Sequence, residues 1–304
     1  MVRAMSEPIV IEVCRNGVVE ARHRVHAVAV RGGEIVASAG DPQLDCFLRS
    51  SSKPFQALPL VRARDDLAED EIAIACASHH DTPEQVAAAR KLLAHAEATE
   101  DDLELGLQEG RPPQKIHHNC SGKHAGMLAL CRAQGWPTTG YRLPDHPVQR
   151  ACRGAHVEAT GREDFDTAVD GCGVVAFAMS LERMAYAYSR LESLEGGDRI
   201  AAAMRARPDL VGGPDGADFE LIRAAPGWLA KVGAEGLLCA AGPDGVGPDA
   251  IGIAIKCEDG ESRPHLPALA AFLGQLGVKL PTFVEVAVRN SRGEAVGVIA
   301  AIPS

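Results

Sequence analysis

The spacing of apolar residues changes along the chain, and the changes mark out strands at both ends with helices between them. Ile9 to Val13 and Val18 to Val30 are rich in β-branched residues, and Arg31-Gly32-Gly33-Glu34 before Ile35-Val36-Ala37 reads as a hairpin turn. At the far end Val284 to Val288, the turn Asn290-Ser291-Arg292-Gly293 and Ala295 to Ile302 read as a second hairpin. In the middle the period becomes helical. Thr82-Pro83-Glu84-Gln85 has the form of a helix start, with Thr82 as cap, Pro83 in the first position and Gln85 able to reach back. Further helical periods run over Gly122 to Arg132, Pro147 to Ala159, Val175 to Leu194 and Asp198 to Arg207. Ile72 to Ala77 is a short apolar run that reads as buried, and Ile251 to Lys256 has a strand pattern. The pattern predicts an α+β fold in a single domain over 1–304. The terminal strands, 8–37 and 284–302, join one antiparallel sheet, and a helical portion at roughly 50–230 packs on it.

Composition narrows the partners. With 31 Lys plus Arg against 41 Asp plus Glu, the net charge of −10 and the lack of a basic run argue against nucleic acid or an anionic membrane. Small molecules are the favoured ligands. No basic segment followed by an apolar one opens the chain, and no apolar stretch approaches the ~18 residues of a membrane span, so a cytoplasmic location is expected. Nine cysteines without a CxxC pair suit reduced thiols.

Candidate chemistry lies in five short segments. In Arg49-Ser50-Ser51-Ser52-Lys53-Pro54-Phe55, Pro54 suits a helix capped at about Ser51, and Ser50 stands three residues before Lys53, on the same face of a helical turn. A serine needs a base to attack, and a lysine serves only if its pKa is depressed. On spacing alone, a capped and exposed helix start is the simpler explanation. Ile72 to Ala77 ends in Ser78-His79-His80-Asp81, where polar groups either build a site or cap the next helix. Cys120 stands three residues before Lys123 in His117-His118-Asn119-Cys120-Ser121-Gly122-Lys123-His124, and Asp170-Gly171-Cys172-Gly173 sets a second thiol beside a carboxylate. Taken separately, each cysteine is as well explained by a structural role. Lys256 ends the Ile251 strand, positioned either to reach a cleft or to protect a sheet edge. The histidine pairs 79–80 and 117–118, and Cys239, have no assigned role.

In combination and in this order, these segments resemble the rhizobial-type asparaginases, the asparaginase II family; Asn119 to His124 is the most specific of them. The resemblance implies hydrolysis of L-asparagine to L-aspartate and ammonia, on a fold similar to that of serine β-lactamases and serine-dependent glutaminases. It implies two Ser-Lys pairs, Ser50 with Lys53 and Ser78 with Lys256. It further implies a Zn2+ held by Cys120, Lys123 and Cys172, with Asp170 at or next to it, Arg49 and His124 holding substrate, and a homodimer. Ser50 is preferred as nucleophile for its short spacing to Lys53. Competing readings are a glutaminase or β-lactam hydrolase of the same fold, a zinc or redox sensor, and a non-catalytic binding module.

Overall fold

The computed structural model describes residues 3–214, 216–243 and 250–302. Its backbone is a nine-stranded sheet with helices on both faces. The first hairpin forms as expected from β3 (Val18–Arg31) and β4 (Glu34–Ala39), and the last from β11 (Glu285–Arg289) and β12 (Ala295–Ala301). β12 pairs antiparallel with β2 (Ile9–Arg15), Ala300 opposite Glu12, so strands from the two ends of the chain close one sheet. The order continues from β2 through β3 and β10 (Ile251–Cys257) to β9 (Leu237–Gly242) and β8 (Leu229–Gly233), which forms the edge. The long β3 serves two partners on one side, β2 along its first half and β4 along its second. β1 (Arg3–Met5) adds to β4 in the parallel sense.

The alternation along β10 shows why the sheet is covered twice. Ile251, Ile253, Ile255 and Cys257 point to the layer of α10 (His265–Gln275), packed with Leu269, Phe272 and Leu273, whereas Ala254 points to the helical body. That body contains α1 (Lys53–Ala63), α2 (Glu69–Ala75), α3 (Pro83–His95), α4 (Ser121–Gln134), α5 (Pro147–Thr160), α6 (Leu181–Arg190) and α7 (Gly197–Ala206). Between α7 and β8 come α8 (Pro208–Val211) and α9 (Ala217–Ala224). Thr82 caps α3 as its sequence predicts, accepting from the Gln85 N–H while the Gln85 side chain returns to the Thr82 N–H.

Two expectations are corrected, and the burial of the Ile72 run is as expected. Val175–Ser180 is not the start of a helix but β7, the centre of a small sheet with β5 (Asp45–Phe47) and β6 (Asp166–Val169). Ser180 then caps α6, so an apolar run and the amphipathic helix behind it merged into one apparent period. The helix at Lys53 is preceded by a 3-10 turn over Arg49–Ser52 with no side-chain cap, so Ser51 is not its cap. Ile72–Ala75 lies in a buried helix and is followed directly by the Ser78 segment.

Two glycines set the spacing of layers. A Cβ on Gly252 would lie 1.9 Å from the Ala185 carbonyl, so α6 rests directly on β10 there. A Cβ on Gly122 would lie 2.2 Å from the Ile74 carbonyl, so only glycine lets the start of α4 meet the end of α2. The second contact brings the Cys120 segment against the Ser78 segment, where the His79 N–H donates to the Asn119 carbonyl at 3.2 Å.

Candidate active site

The three serines before Lys53 have three different environments. Ser51 is buried and donates to the Lys231 carbonyl at 2.8 Å, while Ser52 donates to His156 Nε2 at 2.9 Å. That direction follows because His156 Nδ1 donates to the Cys152 carbonyl, leaving Nε2 as acceptor. Burial holds the His156 imidazole neutral, its pKa lowered to about 4. Ser50 alone lines an open cleft of about 710 Å³, with Ser78, Asn119, Val232 and Gly233. Its hydroxyl makes no hydrogen bond to a described side chain or backbone group. Arg49, immediately before it, adopts a left-handed backbone with φ 48°, a conformation costly for a residue with a Cβ and typical of functional turns.

Lys53 is completely buried. Its Nζ donates to the Ala77 carbonyl and, at 3.0 Å, to Ser78 Oγ. Burial lowers its pKa; nearby Lys123 and Lys231 push the same way, against the attraction of the Cys120 and Cys172 thiols. Tertiary packing therefore adds a partner that the helical spacing to Ser50 does not show, since Lys53 donates to Ser78 across the junction of α1 and α2.

Lys256 is not brought to Ser78. It projects from β10 between His26 and Leu237, donates to the Cys257 carbonyl and faces Cys46. The lysine that does reach this region is Lys231 on β8, fully buried, whose Nζ donates to Asp218 Oδ2 at 2.8 Å. Burial pushes the Asp218 carboxyl up, but the Lys231 charge and the N–H groups of Val232 and Phe219 outweigh it and hold it ionised. Nothing in Leu229-Ala230-Lys231-Val232-Gly233 distinguishes this lysine from an edge-strand one; only the buried aspartate on α9 does.

Cys120, Lys123 and Cys172 do converge. Lys123 Nζ donates to Cys172 Sγ at 2.9 Å, and the Cys120 and Cys172 thiols are close enough for each to shift the other's titration. The Cys172 thiol, the Lys53 and Lys123 charges and His118 together outweigh burial and hold the Cys120 thiol well below its ordinary value. Lys123 is held protonated, because the thiols and Asp170 together offset its burial. Asp170 ties this cluster to the cleft: it accepts from Arg49 Nε at 2.7 Å and lies 4.0 Å from Lys123 Nζ and 3.7 Å from Cys172 Sγ. Arg49 is thereby committed, with Glu235 3.8 Å from its other end. His124 faces inward from α4, its Nδ1 accepting from Tyr141 Oη at 2.8 Å while its buried Nε2 has no partner. His79 also supports the frame, pairing with Ser121 Oγ at 2.8 Å, and His117 bonds Asp81.

With this geometry in place, comparison with known proteins is decisive in one respect: the L-asparaginase II family model matches residues 11–301. The chain belongs to that family. The family is named for an amidohydrolase acting on a small molecule. No curated protein matches. Among solved structures it is similar to Mglu in its native form, with 14% identity, a TM-score of 0.47, and coverage of 85% of this chain but 66% of that one. It is also similar to the Bacillus subtilis glutaminase YbgJ in covalent complex with 5-oxo-L-norleucine, with 14% identity, a TM-score of 0.41, and coverage of 84% and 87%. A β-lactamase from Sphaerobacter thermophilus gives 13% identity, a TM-score of 0.37, and coverage of 78% and 84%. Among the described residues no helix is long and apolar enough to cross a membrane.

Proposed function

We propose that this amidohydrolase is an L-asparaginase in which Ser50 attacks the side-chain amide carbon and Lys53 is its base. The observation that carries this reading is the bonding of Lys53. A neutral lysine has two N–H groups and one lone pair; here two donors are taken by the Ala77 carbonyl and Ser78 Oγ, and the lone pair has no partner. The unbonded hydroxyl on the same cleft wall, three residues upstream, is Ser50. Burial supplies the neutral form, and hydrogen bonds of this kind tighten only when substrate is bound.

The proton accounting is then complete. Lys53 takes the Ser50 proton as the serine oxygen bonds to carbon. Ser78, whose oxygen accepts from Lys53, gives its own proton to the departing ammonia and regains one from the Lys53 ammonium. Water repeats the sequence in reverse roles, releasing aspartate and restoring Ser50. Lys231, paired with Asp218, adds to burial in lowering the Lys53 pKa.

Zinc belongs to the same proposal. The donor set fits: two buried thiols, one held low in pKa, and an amine meet at one point, with the orphaned His124 Nε2 close by. Cys120, Lys123 and Cys172 would hold the ion, which would supply a fixed positive charge beside the cleft. Binding requires Lys123 to give up its proton, so zinc affinity falls as pH falls.

The test is ammonia release from L-asparagine, L-glutamine and a chromogenic β-lactam, with Ser50→Ala, Ser78→Ala and Cys120→Ala beside the intact protein. The reading requires asparagine to be the preferred amide, Ser50→Ala to abolish turnover, and Cys120→Ala to lose bound zinc. Preference for glutamine would replace the substrate, and full activity in Ser50→Ala would remove the nucleophile assignment.

A further inference from the structure

The cleft extends well beyond Ser50 and Ser78, and its far wall is made of different elements. After β10 ends at Cys257 the chain turns through Gly260 and Ser262 into α10, and Ser262, Arg263 and His265 line the cleft there. Among the described residues of the cleft wall, Arg263 is the one Lys or Arg side chain. The basic side chains nearer Ser50 are already engaged: Arg49 with Asp170, the Lys53 amine with Ala77 and Ser78, Lys123 with Cys172, and Lys231 with Asp218.

Arg263 is held in place by a relay from the exposed Asp259 through the buried His23. Asp259 accepts from His23 Nδ1 at 2.6 Å, from Cys257 Sγ at 2.9 Å and from the Glu261 N–H at 3.0 Å. That first bond fixes the proton of His23 on Nδ1, so its Nε2 is an acceptor and takes a bond from Arg263 Nε at 2.9 Å. His23 is buried, only 3% exposed, and so orients the guanidinium by its inner nitrogen. The outer fork, the part suited to a carboxylate, has no hydrogen-bond or ion-pair partner among the described residues.

Two further features point to an anion at the same place. α10 spans eleven residues, and its N-terminus has no side-chain cap and no acidic residue in its first turn; the His265 N–H is taken by the Ser262 carbonyl and Pro267 has none, which leaves the Leu266 N–H as the open donor there. His265, in that first turn, is 1% exposed, lines the cleft, and has neither ring nitrogen in a hydrogen bond of ordinary geometry. Burial keeps it neutral against the pull of the Gly236 carbonyl, so it presents an imidazole to the cleft without adding charge.

We propose that Arg263, His265 and the first turn of α10 form the carboxylate-binding end of the cleft, recognising the carboxylate that the amide substrate carries away from its scissile bond. The inference rests on the amidohydrolase reading for the substrate's identity, but not for the anion site itself. That carboxylate is either the α-carboxylate of free asparagine or the terminal carboxylate of a longer amide. A cleft of about 710 Å³ has room for both. Asp259 and His23 are positioning residues, acting only through Arg263.

Binding is measured first, without turnover. L-aspartate and aspartyl-glycine are titrated by calorimetry into the intact protein, Arg263→Gln and Arg263→Lys. Loss of a charged hydrogen-bond partner should weaken at least one of them about tenfold or more in Arg263→Gln, and Arg263→Lys should recover only part of it. Steady-state kinetics then separates the sources. A KM increase in Arg263→Gln with kcat held is expected for L-asparagine if its α-carboxylate is bound, or for asparaginyl-glycine alone if the longer amide is the substrate. Asparaginamide, with no carboxylate, should be indifferent to the change. His23→Phe should shift KM in the same direction by less. If the relay merely staples the 257–263 turn, His23→Phe and Arg263→Gln lower the melting temperature and leave affinity and KM unchanged, which overturns the proposal. Equal affinity for both ligands in intact protein and Arg263→Gln, or no binding in either, overturns it too. Arg263-dependent binding with no ammonia from any amide would instead retire the amidase reading and keep the anion site.

Discussion

Lys53 at the start of α1 and Lys231 in β8 are both fully buried and within electrostatic reach of each other, yet their surroundings treat the charge oppositely. Lys231 has a buried carboxylate 2.8 Å away, itself fixed by two backbone N–H groups. Lys53 has a carbonyl and a hydroxyl, both neutral, and burial depresses its pKa. Burial therefore does not by itself decide what a lysine becomes. The counter-ion decides, and the fold places an aspartate beside one lysine and a serine beside the other.

The comparison can be broken most severely at Lys53. Lys53→Met removes a base and no ion pair, so ammonia release should fall by about 10² to 10⁴ while the urea midpoint stays level or rises. A comparable loss of stability would show that Lys53 is structural. Asp218→Ala does the reverse, stranding the Lys231 charge in the interior. Unfolding in urea should show a loss of about 3–5 kcal/mol, because an unpaired buried charge is left behind.

The same rule extends to imidazoles. His79 and His156 are lowered by burial to about 3 and about 4, so on acidification the unfolded chain takes up protons first, beginning near the ordinary histidine value. Stability should hold above about pH 6.5 and fall as pH drops toward the folded values, by up to about 3 kcal/mol for His156. Urea midpoints between pH 7 and pH 4 measure this, and a His156→Gln protein should lose less than the parent over that range. The smallest effect is expected from replacing the whole ion pair. Lys231→Met with Asp218→Leu should recover most of the Asp218→Ala loss, to within about 1 kcal/mol of the parent, because both desolvated charges disappear together. Ammonia release in that double variant should still fall, since Lys53 then loses a neighbour that depresses its pKa.

What was legible in the sequence follows the range of the interactions involved. Terminal hairpins, the Thr82 cap and the β10 pattern depend on neighbours a few residues apart, and these appear as read. Cys120 and Lys123 share one turn at the start of α4, but the approach of Cys172 to Lys123 is implied only by the family resemblance, since nothing local brings the Gly171–Gly173 loop there. What local spacing does not show is long-range. Ser50 and Lys53 have helical spacing, but nothing local says that the Lys53 amine also bonds Ser78, 25 residues away. Nor does anything near Arg49 announce its bond to Asp170, 121 residues distant. Lys231 and Lys256 both sit in apolar strands, and only the packing of α9 on β8 tells which one gains a counter-ion.

The central claim is that burial, with no carboxylate bonded to Lys53, outweighs the pull of the nearby thiols, holds the amine neutral and lets it serve as the base for Ser50. Its most direct test is the pH dependence of kcat/KM for ammonia release from L-asparagine by the zinc-loaded protein, alongside Lys231→Met. The account predicts a rate that rises through an ionisation below the ordinary lysine value of 10.5, moving upward in Lys231→Met as the neighbouring charge is lost. An ionisation at the ordinary value, unchanged when Lys231 is replaced, would contradict it.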